Sequence, residues 1–423
     1  MKLTPSSRVY ALGIVLLVAL TVCSRNAADR GGPYFIASLI VAGIAYLLAI
    51  REFLRSQSLP TRVVVFGLVL CGIWQIEFLR VPAGVDDDVH RYVWDGRLQK
   101  LGYNPYVVVP SDPAVEALHT QETRGLNHPD LASPYPPGAQ LFFRIVTGIH
   151  ESTFAMRVAF LLCGFAIVFV LLDVLRGAGQ AEHWVLAYAW NPLVATEVAG
   201  SGHIDIVGVL LLLVSAAALA RRWRPLAAVA FGLAVAVKIL PIVLLPVYWK
   251  RIRIGDWALA ALVAGCTCVP FLQDGKLPFG SLSTYVHSFR FNGPIFSALE
   301  RITSPQIVAV LAIFAGLLTA IWIRKTSPDL SPSAFAWPMA ASLFCAPVVY
   351  PWYLLWLTPF LRSVSALPLI IWTVSILPTY YVWHLRTQGR LWILPDWIMI
   401  VEFGFVAITA AVVIARRMAR SSQ

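Results

Sequence analysis

An all-α, polytopic membrane protein is the fold class this sequence predicts, and three observations predict it. Of 423 residues, 58% are hydrophobic and only 13% charged, with a mean hydropathy of +0.73, where a soluble domain carries about 25% charged residues. The apolar residues come in repeated runs of about 17–22, long enough to cross a bilayer as helices. The basic residues stand in small clusters at the ends of those runs, where the positive-inside rule places them. The formal net charge of +11 is therefore read as topology, and no nucleic-acid partner is expected, because no basic stripe with interleaved exposed aromatics stands out. The six cysteines (Cys23, Cys71, Cys163, Cys266, Cys268, Cys345) lie in or beside apolar runs. That placement suits small core residues and neither a disulfide framework nor a zinc site.

Taken in order, residues 9–22 behind Lys2 and Arg8 resemble a signal-peptide core. Val22 is too large for a lipoprotein cleavage site before Cys23, so 9–23 is read as a retained first span. Spans at 34–50 and 63–78 follow. The loop between them carries Arg51, Arg55 and Arg62 and is placed in the cytoplasm, so the third span delivers a long polar stretch, residues 85–137, to the opposite side. Within a single membrane domain, 1–423, residues 80–150 form a large outer loop that ends in a juxtamembrane helix with Pro137 in its first turn. Spans at 154–175 and 184–199 lead to a tight outer turn, Gly200-Ser201-Gly202-His203, and 204–220 returns. Residues 225–249 are flanked on both sides by basic clusters (Arg221, Arg222, Arg224; Lys250, Arg251, Arg253). That apolar run must leave and come back, which two half-length helices meeting near Lys238 accomplish if they line a cavity. Segments at 257–271, 306–323, 335–349, a short return to Arg362, 364–383 and 397–415 complete a bundle of about fourteen, with both termini inside.

The polar stretch is the candidate for chemistry. Eight of the 22 acidic residues fall in it, three of them adjacent as Asp86-Asp87-Asp88. Adjacent carboxylates repel, and become useful where a base must take a hydroxyl proton or a divalent cation must be held. A Mg²⁺ or Mn²⁺ ion, if one is used, would fall to Asp86 and Asp88. Aromatic residues beside acids (Tyr92 and Asp95, with Tyr106 and Tyr135 later) suit sugar recognition and interfacial anchoring equally. Lys238 at mid-membrane depth is a functional candidate on cost alone, as a partner for a lipid phosphate. His203 and Asp205 at the outer hairpin tip face the same cavity or simply cap a helix.

Several motifs in order carry a resemblance. Asp88-Val-His-Arg-Tyr-Val-Trp-Asp-Gly, Gly102-Tyr-Asn-Pro-Tyr106 and Tyr135-Pro-Pro137 come first. Gly202-His-Ile-Asp205, Gly232-Leu-Ala-Val-Ala-Val-Lys238-Ile-Leu-Pro241 and Tyr350-Pro-Trp-Tyr353 follow. Together they resemble the GT-C glycosyltransferases, above all bacterial polyprenyl-phosphate-mannose-dependent mannosyltransferases and the PIG-M-type enzymes of GPI-anchor assembly. The resemblance implies a GT-C-like bundle in a bacterial inner membrane with its site facing the periplasm or exterior. It implies an inverting transfer of a hexose, mannose first, from a polyprenyl-phosphate donor to a lipid-linked or glycan acceptor. An outer-loop aspartate would act as general base: Asp88 first, then Asp87, then Asp86. Arg91, Tyr92, Asp95, Asn104, Tyr106, Tyr135, His203, Asp205, Lys238, Tyr350, Trp352 and Tyr353 are the expected substrate contacts. In many of those enzymes the catalytic loop follows the first span, whereas further spans precede it here. A flippase of lipid-linked sugars would share the lysine and the half-helices but has no need of three outer aspartates. An acyl- or phosphotransferase would show an outer His-Asp or Ser-His pair, of which His90 beside Asp88 is the only hint.

Overall fold

The computed structural model describes residues 4–84, 87–273, 277–327 and 330–421. Among these, eight helices are long and apolar enough to cross a membrane: Pro5–Arg25, Pro33–Arg55, Thr61–Arg80, Thr153–Gly177, Ile254–Phe271, Pro305–Thr326, Val364–Thr387 and Asp396–Ala419. Pro192–Gly200 and Asp205–Ala220 would make a ninth span, but they meet at 120°. The chain is a multi-pass integral membrane protein. Its outer helices keep large apolar side chains exposed, such as Phe314, Leu318 and Trp322 on one and Ile400, Phe405 and Ile408 on another. An apolar outer face over an apolar inner one is what a helix surrounded by lipid requires.

The count of full-length spans is thus eight or nine, and the other expected segments are short pieces. Residues 184–199 are interrupted because the Asn191 side chain accepts from the Leu193 amide at 3.0 Å and Pro192 follows at a first helical position, where proline is well suited. The run then widens into a π-turn, Ala195–Gly200. Residues 335–349 supply only the helix Ser333–Phe344, and the return towards Arg362 is a 3₁₀ stretch beginning at Pro351–Trp356. The two half-length pieces around Lys238 are present: helix Arg224–Val237 stops at Lys238, which is extended (φ −157°, ψ 139°), and Leu240–Leu244 resumes as a 3₁₀ turn.

The polar stretch is more ordered than an outer loop need be. It opens as a helix, Asp88–Lys100, with Val89, Tyr92, Val93 and Gly96 buried at helical spacing. Surface helix Pro137–Ile149 buries Ala139, Gln140, Phe143, Val146 and Thr147 and leaves Ile145 and Ile149 exposed, the pattern of a helix lying at a membrane interface. Two glycines permit close approaches that hold the site together. A Cβ on Gly138 would meet the Ala236 carbonyl carbon at 2.7 Å, so this helix lies directly on the backbone that precedes Lys238. Gly202 turns the 200–205 hairpin at φ +76°, and a Cβ there would meet Arg157 Cγ at 2.6 Å. Arg157, buried in its span, donates to the carbonyls of Val81 (2.6 Å) and Gly200 (3.1 Å), tying the hairpin tip to the approach to Asp88.

Candidate active site

One cavity of about 1120 Å³ opens between the Asp88 helix, the 200–205 hairpin, Lys238 and the 350–356 segment. Ordinary ligand pockets run to roughly 1,000 Å³, so there is space for more than one small head group. Asp87, Asp88, Arg91, Tyr92 and Tyr135 line it from the polar stretch. His203, Asp205 and Lys238 line it from the middle of the chain, and Tyr350, Trp352 and Tyr353 from near its end. Eleven of the fifteen expected site residues therefore meet in one place. Asp86 lies outside the described residues.

The adjacent acids have different work. Asp87 accepts from both terminal nitrogens of Arg30 (2.5 and 3.1 Å) and from the Gly84 amide at 2.8 Å, so its acceptor sites are occupied by a bidentate ion pair. Asp88, the first helical residue, keeps a side-chain exposure of 19%. Its Oδ1 accepts from Asn127 Nδ2 at 2.6 Å, and its Oδ2 stands 3.9 Å from His203 Nε2. Of the two, Asp88 has an oxygen still available to a ligand.

Three expected contacts serve the scaffold instead. Asp95 is fully buried, paired with Arg91 at 3.0 Å and accepting from Ser133 Oγ (2.5 Å) and Gln140 Nε2 (2.8 Å). A carboxylate without access to the cavity cannot bind a sugar hydroxyl. Asn104 fixes a turn: its amide donates to the Phe271 carbonyl at 3.1 Å while its oxygen accepts from the Tyr106 amide at 3.0 Å. Tyr106 donates to the Tyr135 carbonyl at 2.6 Å and packs on Phe271. Arg91 reaches the cavity but spends its donors on Asp95 and the Leu131 carbonyl (2.8 Å), so it shapes the wall.

Lys238 is held at the cavity edge. Its ammonium lies 2.6 Å from Asp205 Oδ1 and 3.9 Å from the centre of the Tyr353 ring. Asp205 also accepts from Trp356 Nε1 at 2.7 Å. An ammonium has three donors, and with Lys238 26% exposed it can offer some of them to an anion in the cavity. Tyr353 shares a 2.6 Å hydroxyl contact with Tyr285, and burial first of all pushes both phenols well above their ordinary range, so they remain neutral. The aromatic wall is a stack: His203 lies on Trp352 at 4.0 Å, and Trp352 on Tyr350 at 4.4 Å, both nearly parallel.

Sequence reasoning missed Asn127, Glu197, Tyr285 and Trp356. Glu197 had a legible signal, a carboxylate inside an apolar run; Asn127 had none. Among the described residues no three His, Cys, Asp or Glu side chains are grouped so as to hold a metal ion.

Two family models match the chain. A family model described as alpha-(1->6)-mannopyranosyltransferase, N-terminal domain, matches residues 14–252. A second, described as glycosyltransferase family 87, matches residues 134–377. No curated protein matches the chain.

Proposed function

The chain belongs to the alpha-(1->6)-mannopyranosyltransferase and family 87 glycosyltransferases, and from that premise we propose that it moves mannose from a polyprenyl-phosphate donor to a lipid-linked or glycan acceptor, with Asp88 as general base and inversion at the anomeric carbon. Asp88 takes the proton as the acceptor O–H bond breaks and the new C–O bond forms. The bond between the anomeric carbon and the phosphate oxygen breaks on the opposite face, and the electron pair leaves with the lipid phosphate. Charge grows on that phosphate in the transition state, which is where a fixed cation such as Lys238 contributes most. An inverting enzyme that makes an α linkage requires a β-linked donor. The edges of the stacked His203, Trp352 and Tyr350 rings give the sugar an aromatic wall to pack against.

The observation that carries the reading is one cavity lined by a part-exposed carboxylate, an ammonium and an aromatic stack. The site faces the periplasm or exterior in this reading. The Arg30–Asp87 pair joins the turn after the first helix to the approach to Asp88, so the Arg51, Arg55 and Arg62 loop lies at the far end of the same helices, the cytoplasmic one by the positive-inside rule. Nucleotide sugars are cytoplasmic, so an outward site calls for a lipid donor. The test uses right-side-out and inside-out vesicles carrying the protein, with radiolabelled polyprenyl-phosphate-mannose or GDP-mannose. The expected result is a mannosylated product from the lipid donor when the Asp88 end is accessible. Transfer from GDP-mannose alone, or movement of label between leaflets with no new product, overturns the proposal.

A further inference from the structure

Glu197 is fully buried, and among the described residues neither of its carboxylate oxygens has a hydrogen bond of regular geometry. A carboxylate so placed is costly unless a cation compensates it. Arg30 supplies a cation whose charge reaches Glu197, and His203 is the ring set directly against it. The π-turn at 195–200 closes with the His203 amide donating to the Glu197 carbonyl at 3.0 Å, which folds the imidazole back over the acid. His203 Nδ1 then stands 2.7 Å from Glu197 Oε2, while Nε2 on the far side of the ring stands 3.9 Å from Asp88 Oδ2. The ring plane is fixed by its stack on Trp352. π-Turns within helices concentrate at functional sites, and this one sets an imidazole between a closed carboxylate and an open one.

We propose that Glu197 is a positioning residue that makes His203 the proton acceptor behind Asp88. The inference rests on Asp88 being the base of the transfer. In the resting site Nδ1 carries its proton on the Glu197 side, which fixes the tautomer and leaves the Nε2 lone pair towards Asp88, as a buried carboxylate orients the histidine of a hydrolytic triad. The Nδ1–Oε2 distance is that of an ion pair, with the angle off line; rotation about the last side-chain torsion of Glu197, a soft one, brings the oxygen into line. When the acceptor O–H bond breaks, the proton goes to Asp88 and then to Nε2, across a gap that one water or a small approach closes. The imidazolium is held between Glu197 and the Trp352 face, Asp88 is again ionised, and the proton leaves through the cavity. No further reactant is needed. The charged groups around the ring are Glu197 from the π-turn, Asp88 from its helix, Asp205 with Lys238 from the following segments, and Arg30, which pairs with Asp87 and whose charge reaches Glu197. Arg157 binds the Gly200 carbonyl beside them.

The experiment measures turnover between pH 5 and 9 for the full chain in proteoliposomes, with polyprenyl-phosphate-mannose as donor and octyl α-mannoside as acceptor. Glu197→Gln is expected to lower kcat about 10–100-fold, as loss of an orienting partner does, with KM within about twofold. The acidic limb of its profile moves to lower pH by about one unit, because a carboxylate that favours the imidazolium is gone. Glu197→Asp recovers most of both. If Glu197→Gln does not fold, His203→Gln is read instead, and its profile is expected to lose that limb. An unchanged kcat and limb, or a lowered kcat with an unmoved limb, overturns the relay while leaving the base assignment intact. An Asp88→Asn variant as active as the native chain overturns the base assignment and the relay together.

Discussion

Asp88 and Asp95 stand on the same helix, seven residues apart, and only Asp88 faces the cavity. Asp95 has Arg91, Ser133 and Gln140 around it and no exposure; Asp88 has one amide donor and an open oxygen. The residue type is the same and so is the local structure. What separates scaffold from chemistry is how many acceptor positions the protein itself fills. A carboxylate whose two oxygens are both engaged by the protein and shut from the cavity holds the loop in shape, and one left half-served is free to take a proton.

Substitution should divide the pair sharply. Asp88→Asn is expected to lower the transfer rate about 10²–10⁴-fold, the range for loss of a general base, with melting in detergent near that of the native chain. Asp95→Ala is expected to destabilise by about 3–5 kcal/mol, because Arg91 is left as a buried charge without its partner. Replacing both, as Arg91→Met with Asp95→Leu, should recover much of that loss in the same thermal measurement. An Asp95 variant that folded normally and lost transfer would break the comparison by putting Asp95 in contact with substrate.

The smallest effect concerns the rim of the loop. Glu151 meets Arg97 at 2.6 Å and Lys100 at 3.0 Å. Burial by itself would raise its carboxyl, but the Lys100 and Arg97 contacts outweigh this and hold it below the ordinary glutamate range. A depressed folded-state value gives stability that is present above the unfolded value, about pH 4.3, and lost as the pH falls through the lowered one. Glu151→Gln should therefore narrow the gap in melting temperature between pH 6 and pH 3, by little, since partly exposed pairs contribute under about 1 kcal/mol.

Much of the lining of the candidate cavity was legible because its motifs are local. Asp88, His203, Asp205, Lys238 and the Tyr350–Tyr353 segment each stand out by residue type against an apolar background. The residues misjudged were those whose role depends on distant partners. Asn104 reads as a sugar ligand until Phe271 appears beside it, and Asp95 until Gln140 does. The full-length spans were legible from hydropathy; the interrupted ones, 184–199 and 335–349, were not. A broken helix and a whole one carry the same apolar content, and only packing selects between them.

The sequence by itself determined the helical membrane class, the polar stretch that bears the acids and the break at Lys238. These follow from hydropathy and charge summed along neighbouring residues, which need no partner. Tertiary structure alone decided that Asp88 is open and Asp87 and Asp95 are not, that Lys238 leans on Asp205, that Trp356 reaches Asp205 across 151 positions, and that Glu197 lies under His203. Each is a choice of hydrogen-bond partner in a space with little water, where a polar group must find another within about 3 Å. No spacing in the chain records which one it finds.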